Sequence, residues 1–536
     1  MRQKRWILLN NITVVLVVLT LGMSCSDDVS YCDYGATSTS SNYCSFYPRN
    51  IALSGSAENQ TLYSSGWASD AIVRVDKNGI QQLPTAASVP SDAHRDLWGA
   101  WDVHIRGDYL YATGYLENSL GVFPIGNSTE SNAFSVYQAC LADSCEGFTL
   151  GAEPSLASCC YKEMVEKAGS KIYRNSTLAS IPSPGKPTTL LNILKQPKDI
   201  ESVEVTLNEK NVTYIYVAAS GSSQVSLFRA AEVTNNDIKS IDLTYVGGIG
   251  PLSSPSKLAL VPSPATDPTA IYLFILGSNG KASCTSRTDF LTVARHDLTD
   301  DSIEILQELR SGFETNYECS LSKGCGYVPT LKGAWDVAIP VTTSSTVVKD
   351  VFVTSRCHNS VESFSFDNGG TNSLLTLTQS YGVTGYQPYA DCIKKPANLG
   401  FKGLAVTDSN IYVASWETGY IFDWVLGAEE ALLNPTVACA LGEGLCVVES
   451  CSERYPDWYI NNEATASPNA EGTMRPFPYE MSINGTSMYV SLDRNGGFAK
   501  CRIADTSTDT STDTSTDTSS VPSASTLTCV NHTGEQ

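Results

Sequence analysis

The chain has 536 residues, 42% hydrophobic and 17% charged, with 35 Lys and Arg against 56 Asp and Glu and a formal net charge of -21. Such an acidic balance lacks the clustered cations that a phosphate backbone requires, so no nucleic-acid partner is expected. With 39 glycines and 26 tyrosines the composition points away from a helical protein, and its apolar and aromatic content is too high for a disordered one.

The N-terminus reads Met1-Arg2-Gln3-Lys4-Arg5, followed by an apolar run from Trp6 to Gly22 and then Met23-Ser24-Cys25. A basic start, an apolar centre and small residues before a cleavage point predict an export signal over 1–24. Cys25 after the small Ser24, followed by Ser26-Asp27-Asp28, resembles the lipobox of bacterial lipoproteins. The resemblance implies acylation of Cys25, contact with a membrane through that lipid anchor, and a cell-envelope location in the outer membrane or periplasm. Gly22 stands where that pattern usually has an aliphatic residue, which leaves plain secretion as the alternative.

Residues 25–45 read as a linker. Of 17 cysteines, setting Cys25 aside leaves an even 16, and no C-x-x-C pair occurs. In an exported chain this predicts up to eight disulfides of undetermined connectivity, concentrated in Cys-rich loop insertions, and no cofactor or metal. Those insertions are 126–196, with Cys140, Cys145, Cys159 and Cys160, and 427–478, with Cys439, Cys446 and Cys451.

Between 46 and 504 the chain repeats itself. Gly99-Ala100-Trp101-Asp102-Val103 recurs as Gly333-Ala334-Trp335-Asp336-Val337. Weaker copies begin near Ile51, Val203, Leu258, Leu404 and Met481. The second strand of a copy follows a common form, as in Ile215-Tyr216-Val217-Ala218, Ile411-Tyr412-Val413-Ala414 and Met488-Tyr489-Val490-Ser491. β-branched and aromatic residues at period two, bounded by turns such as Asp76-Lys77-Asn78-Gly79, are strand and hairpin signals. Only 157–168 and 429–433 carry even a short helical pattern, and an eighth copy around Lys171-Ile172-Tyr173 stays open. After Asp505 the chain becomes an Asp/Ser/Thr tail of low complexity, 505–536, that has no apolar surface to bury.

Seven copies of a three-to-four-strand unit predict an all-β fold, a single β-propeller of seven blades, in which neighbouring sheets supply each other's core. The hydrophobic-Tyr-Val-Ala/Ser strands resemble the blades of bacterial lactonase-like propellers with YVTN or LVIVD repeats. That resemblance rests on short motifs, implies architecture, and carries over no catalytic residue.

In such a ring the first strand of each unit lines a central channel. Aligning the copies puts Asn50, Asp102, Ser202, Lys257, Asp336, Gly403 and Glu480 at one level of it. Asp102, Asp336 and Glu480 should therefore converge, either to bind a polar ligand or a hard cation, or to hold the strands by accepting backbone hydrogen bonds; Lys257 would partly neutralise them. The second turns of the units, carrying Trp67, Tyr115, His358 and Trp416, belong to the same face and suit recognition of a carbohydrate or a protein. Trp98, Trp101 and Trp335 are expected to pack between blades. His104 lies close to Asp102, but strand alternation is expected to keep the two from sharing a site. Nucleophile-elbow, zincin, Walker and EF-hand patterns are absent. The sequence thus reads as an extracytoplasmic, lipid-anchored propeller that acts as a binding or scaffolding module. The alternative is a lactonase-like hydrolase with a metal or carboxylate site in the channel. Six Asn-x-Ser/Thr sequons, at Asn59, Asn127, Asn175, Asn211, Asn484 and Asn531, keep a eukaryotic secreted origin open.

Overall fold

The computed structural model describes residues 48–83, 97–125, 164–174, 193–340, 350–382, 399–426, 436–440 and 477–503, with short breaks inside them, together with Leu527–Thr528. Among these residues the fold is all-β, and it comprises seven sheets. Sheet I runs Pro48–Ser54, Thr61–Gly66, Ala71–Asp76, Gly79–Leu83. Sheet II runs Ala100–Arg106, Tyr109–Gly114, Ser119–Pro124, then Lys171–Arg174 and Met164–Val165. Sheets III to VII begin with Pro197–Leu207, Pro255–Pro262, Ala334–Ala338, Phe401–Val406 and Phe477–Asn484, and each continues antiparallel through strands consecutive in sequence. Sheet IV adds a parallel fifth strand, Cys325–Tyr327.

Two sequence expectations change here. Met164–Val165, inside the stretch with a helical pattern, is a strand, because pairing with Lys171–Arg174 gives its backbone partners that an isolated short helix lacks. Lys171–Arg174 in turn bonds to Ser119–Pro124, so it completes sheet II rather than starting an eighth unit. The 429–433 segment, Cys25, the rest of the N-terminal leader and most of the two Cys-rich insertions lie outside the described residues. The described disulfide Cys284–Cys357 ties the loop before Asp289–Asp297 in sheet IV to a turn of sheet V, two cysteines the sequence leaves isolated.

No sheet buries both faces by itself, so the core is a set of apolar layers between neighbours. Tyr214, Tyr216, Val225 and Leu227 of sheet III pack against Ile271, Leu273 and Ile275 of sheet IV. Equivalent layers join I to II, II to III, IV to V, V to VI and VI to VII. A last layer, Ile51, Leu62, Val73 and Val75 against Tyr489 and Phe498, joins sheet VII back to sheet I, so the sheets form a propeller-like ring.

One irregularity repeats in every sheet. The first strand breaks register near its start: between Pro48 and Ile51, Ala100 and Val103, Pro197 and Asp199, Pro255 and Lys257, Ala334 and Val337, Phe401 and Leu404, and Pro478 and Met481. In five sheets two residues of the first strand face one of the second. The amide freed by the bulge is captured by a hydroxyl on the second strand, Asn50 N by Ser65, Asp102 N by Thr113, Asp336 N by Thr354 and Glu480 N by Ser491. This gives the Ser/Thr of the second-strand motif a physical role, since a bulge leaves an amide that must find an acceptor. Sheet VI has Ala414 at that place and Gly403 in the bulge. A Cβ on Gly403 would stand 2.7 Å from the Tyr479 carbonyl oxygen and 2.8 Å from Glu480 Cα, so sheet VII approaches too closely for any side chain.

Candidate functional site

A bulge turns two successive residues toward the same side, and here that side is the channel. The bulges therefore build two stacked levels. The upper level, at the channel mouth, takes the first bulge residue of each sheet: Arg49, Trp101, Lys198, Ser256, Trp335, Lys402 and Tyr479. The next residue of each forms the lower level: Asn50, Asp102, Asp199, Lys257, Asp336, Gly403 and Glu480.

The lower level is an ionic septum. Lys257 Nζ lies 2.9 Å from Glu480 Oε1, 3.2 Å from Asp199 Oδ1 and 3.9 Å from Asp336 Oδ1; the three carboxylates are buried and the Lys257 side chain is 15% exposed. The second oxygens of the aspartates brace the ring: Asp102 Oδ2 accepts from Ile200 N at 2.6 Å, Asp199 Oδ2 from Leu258 N at 2.7 Å, and Asp336 Oδ2 from Leu404 N at 2.8 Å. Each of these aspartates thus ties its own first strand to that of the next sheet. Asn50 Nδ2 donates to Asp102 Oδ1. Burial opposes the Lys257 charge, but Asp199, Glu480, Asp336 and Asp102 together outweigh it and hold its pKa well above the usual lysine value. Burial, then the charge of Asp199, raises Asp102 well above the usual carboxyl range; burial, then Glu480, does the same for Asp336. Asp199 is raised by burial too. Asp102, Asp336 and Glu480 thus converge on Lys257, whose ammonium occupies the position a cation would take. Among the described residues no group of three His, Cys, Asp or Glu has the geometry of a metal site. Ser202 is not part of this level. The ring position in sheet III is Asp199, because the first strand there is long and its bulge contains Lys198 alone, so aligning on Val203 places the level three residues late.

Above the septum the mouth encloses a cavity of about 290 Å³, lined by Arg49, Trp101, Lys198, Arg287, Trp335 and Tyr479 among others. Cations and rings alternate around it. The Arg49 guanidinium stands 4.5 Å from the Tyr479 ring centre and 5.3 Å from that of Trp101. Lys402 Nζ is 4.1 Å from Trp416, 4.2 Å from Tyr479 and 4.9 Å from Trp335. Lys198 Nζ lies 5.7 Å from Trp101 and 5.8 Å from Tyr115. Among the described residues Lys198 has no carboxylate partner, and burial, helped by the Arg287 charge, lowers its pKa. Arg287 itself is paired with Asp289 at 2.7 Å. Cation–π contact leaves the Lys198 ammonium, which lines the cavity, able to pair with an anion.

Trp101 and Trp335 are therefore walls of the mouth and not fillers between sheets, because the bulge undoes the alternation that would have turned them outward. Of the second-turn residues, Tyr115 stacks near Trp101, with ring centres 5.1 Å apart, and Trp416 touches the collar through Lys402. His358 is exposed on the turn after Asp350–Ser355 and does not line the mouth, and Trp67 and Trp98 lie outside the described residues.

Below the septum a second cavity of about 300 Å³ is lined by His104, Glu201 and Ser482, with Lys257, Asp199 and Glu480 at its roof. His104 and Asp102 both face the channel, being two residues apart, but Asp102 belongs to the septum and His104 to the cavity below it, and the two share no hydrogen bond. Burial lowers the His104 pKa to about 4, and burial, then Asp199, raises Glu201 to about 8.

No family model matches the chain, and no curated protein matches it. Among solved structures the chain is similar to a 6-phosphogluconolactonase-like protein from Bacteroides uniformis ATCC 8492, with 15% identity, 72% of this chain and 82% of that one covered, and a TM-score of 0.36. A second such protein, from Bacteroides fragilis NCTC 9343, has 15% identity, coverages of 61% and 68%, and a TM-score of 0.31. A protein from Lactobacillus plantarum has 15% identity, coverages of 74% and 86%, and a TM-score of 0.38. At these TM-scores the likeness assigns neither a ligand nor a reaction.

Proposed function

We propose that the chain is an exported propeller, lipid-anchored at Cys25, that acts as a binding module and takes a small anionic ligand, a sugar acid in the first instance, at the channel mouth. The observation that carries this reading is the collar: on a chain of net charge -21, two cations, Arg49 and Lys198, and three aromatic rings, Trp101, Trp335 and Tyr479, occupy one structurally equivalent position and line one cavity, with Lys402 packed behind Trp335 and Tyr479. Rings offer flat apolar faces to the CH face of a sugar, and half-buried cations gain from an anion that replaces lost water. Lys198 is the strongest single anchor, because its charge is disfavoured until an anion arrives.

The test is a calorimetric titration of the mature protein with glucuronate, with glucose as the uncharged control, followed in parallel by tryptophan fluorescence from Trp101 and Trp335. Glucuronate should bind at least tenfold more tightly than glucose, and Lys198→Met should remove most of that difference, a tenfold ratio being about 1.4 kcal/mol. Equal affinities for the two sugars, or an affinity for glucuronate unchanged by Lys198→Met and by Trp335→Ala, would refute the reading.

A further inference from the structure

The mouth holds a lysine whose surroundings suit a second kind of chemistry. Lys198 lies half-buried in the bulge of sheet III and lines the cavity of about 290 Å³. Its Nζ stands 5.7 Å from the Trp101 ring centre and 5.8 Å from that of Tyr115, contacts that hold the amine at the wall, and among the described residues it has no carboxylate partner. The lining brings together five cations, Arg49, Lys198, Lys257, Lys281 and Arg287, against two acids, Asp102 and Glu480. Both acids are already engaged, since Asp102 accepts from Asn50 and from Ile200 N, and Glu480 Oε1 holds Lys257.

An amine among like charges, partly out of water and without a counter-ion, gives up its proton more readily, and the neutral amine that results is a nucleophile. Burial, then the Arg287 charge, lowers the Lys198 pKa accordingly. Lys257 is the contrast. It shares the cavity wall, but Asp199 and Glu480 hold its proton in place.

We propose that Lys198 captures small carboxylates that carry an aldehyde or ketone carbonyl, forming an imine with them in the mouth. This rests on the anion-binding reading of the mouth and extends it from pairing to a reversible covalent bond. The neutral Nζ bonds to the carbonyl carbon, and the carbonyl oxygen takes up a proton as the nitrogen releases one, which gives a carbinolamine. The C–O bond then breaks, the hydroxyl leaves as water with a proton from solvent, and the nitrogen lone pair closes the C=N bond. Because the imine is formed in its protonated state, the positive charge at this position is kept, and the ligand's carboxylate stays among the other cations of the lining. The carbonyl is selected by the amine and the charge by its surroundings, and the small size follows from the cavity volume.

The experiment incubates the full mature chain with pyruvate and sodium cyanoborohydride, which reduces an imine to a stable secondary amine, and locates the adduct by tandem mass spectrometry. At pH 7 Lys198 should be modified at least about tenfold faster than the exposed Lys195, as an activated amine nucleophile would be. The adduct should disappear in Lys198→Arg, with no other lysine taking its place. The neutral amine is the reacting form, so the excess over exposed lysines should shrink as pH approaches the ordinary lysine value, about 10.4. The charged and titratable groups that face Lys198 are Arg287, Arg49, Lys281, Lys257, Asp102 and Glu480 of the cavity and the Tyr115 hydroxyl. No adduct on Lys198 of the wild-type protein, or trapping there no faster than at Lys195, would each overturn the proposal. Methyl glucuronide, whose locked ring has no free aldehyde, reports the anion site against methyl glucoside with no reductant present. Tighter binding of the glucuronide without an adduct on Lys198 would strike the imine and leave the binding reading, whereas equal affinities beside an adduct on Lys198 would strike the binding reading and leave the imine.

Discussion

Replacing Lys257 by methionine removes the one ammonium from among four buried carboxyl groups while keeping most of the side-chain volume. The three oxygens within 3.9 Å of Nζ lose their counter-ion, and one of them, on Glu480, belongs to a group whose other oxygen, Oε2, has no hydrogen-bond partner among the described residues. Breaking a buried ionic group from one side typically costs about 3–5 kcal/mol. The protein can escape part of that cost by binding protons, and the sign of the pH dependence follows. Asp102, Asp199 and Asp336 have folded pKa values raised above the unfolded 3.8, so each contributes stability that is full below that value and is lost as pH rises toward the folded pKa. Lys257 pulls all three down, and without it they rise further. Lys257→Met should therefore be destabilised by about 3–5 kcal/mol at pH 8 and by only about 1–2 kcal/mol at pH 5, where the carboxyls hold protons and only a hydrogen-bonded group is lost. Urea unfolding at the two pH values measures this, and Lys257→Met with Glu480→Gln should regain part of the loss at pH 8. A deficit of the same size at both pH values would refute the ionic account of the septum.

Gly403→Ala drives a methyl group into the backbone of Tyr479 and Glu480 and should cost about 1–3 kcal/mol in chemical unfolding, whereas the same change at Gly485, where nothing stands within 4 Å of a Cβ but φ is +60°, should cost about 1 kcal/mol, the penalty of a left-handed backbone alone. Replacing both Cys284 and Cys357 by serine opens a loop of 73 residues and should lower stability by up to about 4 kcal/mol, read from the unfolding midpoint against a non-reducing wild-type control. Calcium at millimolar concentration should leave the wild-type midpoint unchanged, because Lys257 already occupies the centre of the carboxyl cluster; a rise of several degrees that vanishes in Asp102→Asn with Asp336→Asn would contradict this. Mass spectrometry of the mature N-terminus should find Cys25 acylated, and an unmodified terminus there or downstream would remove the anchor while leaving export intact.

The sequence carried the architecture because the repeat is written in short strands, each with its own alternation. Tyr216, Tyr412 and Tyr489, singled out by the second-strand motif, are fully buried between sheets. It carried most of the septum, since Asp102, Asp336, Glu480 and Lys257 sit at one offset from recognisable strands. Asp199 escaped because its strand starts early, although Lys198-Asp199-Ile200 has the same form as Trp101-Asp102-Val103 and Trp335-Asp336-Val337 once a bulky residue before an acid is taken as the mark. The collar escaped for a different reason. Period-two reasoning sends the residue before a channel-facing one to the opposite face, and only a bulge, which needs the partner strand to be seen, returns Arg49, Trp101 and Lys402 to the channel. The pairing of His104 with Ser202 was likewise beyond reach, since it joins residues 98 positions apart whose register depends on how two sheets are placed side by side.

The ring is closed by contacts between side chains, not by a shared strand. Among the described residues each sheet is built from one continuous stretch of chain, so the seam between sheet VII and sheet I has no strand shared across it. Its fastening is Ile51, Leu62, Val73 and Val75 against Tyr489 and Phe498, with the Tyr489 hydroxyl donating to Gln60. Such a joint behaves as a clasp. It can form only after residues separated by more than 400 positions have been made and folded, the Tyr489 to Gln60 separation being 429, so six inter-sheet layers can assemble progressively while two apolar faces wait uncovered at the ends of the arc. Until the clasp shuts, those faces are the surface most open to capture by another chain, and a nascent or truncated arc would meet a second copy of itself through the same residues that the finished ring hides.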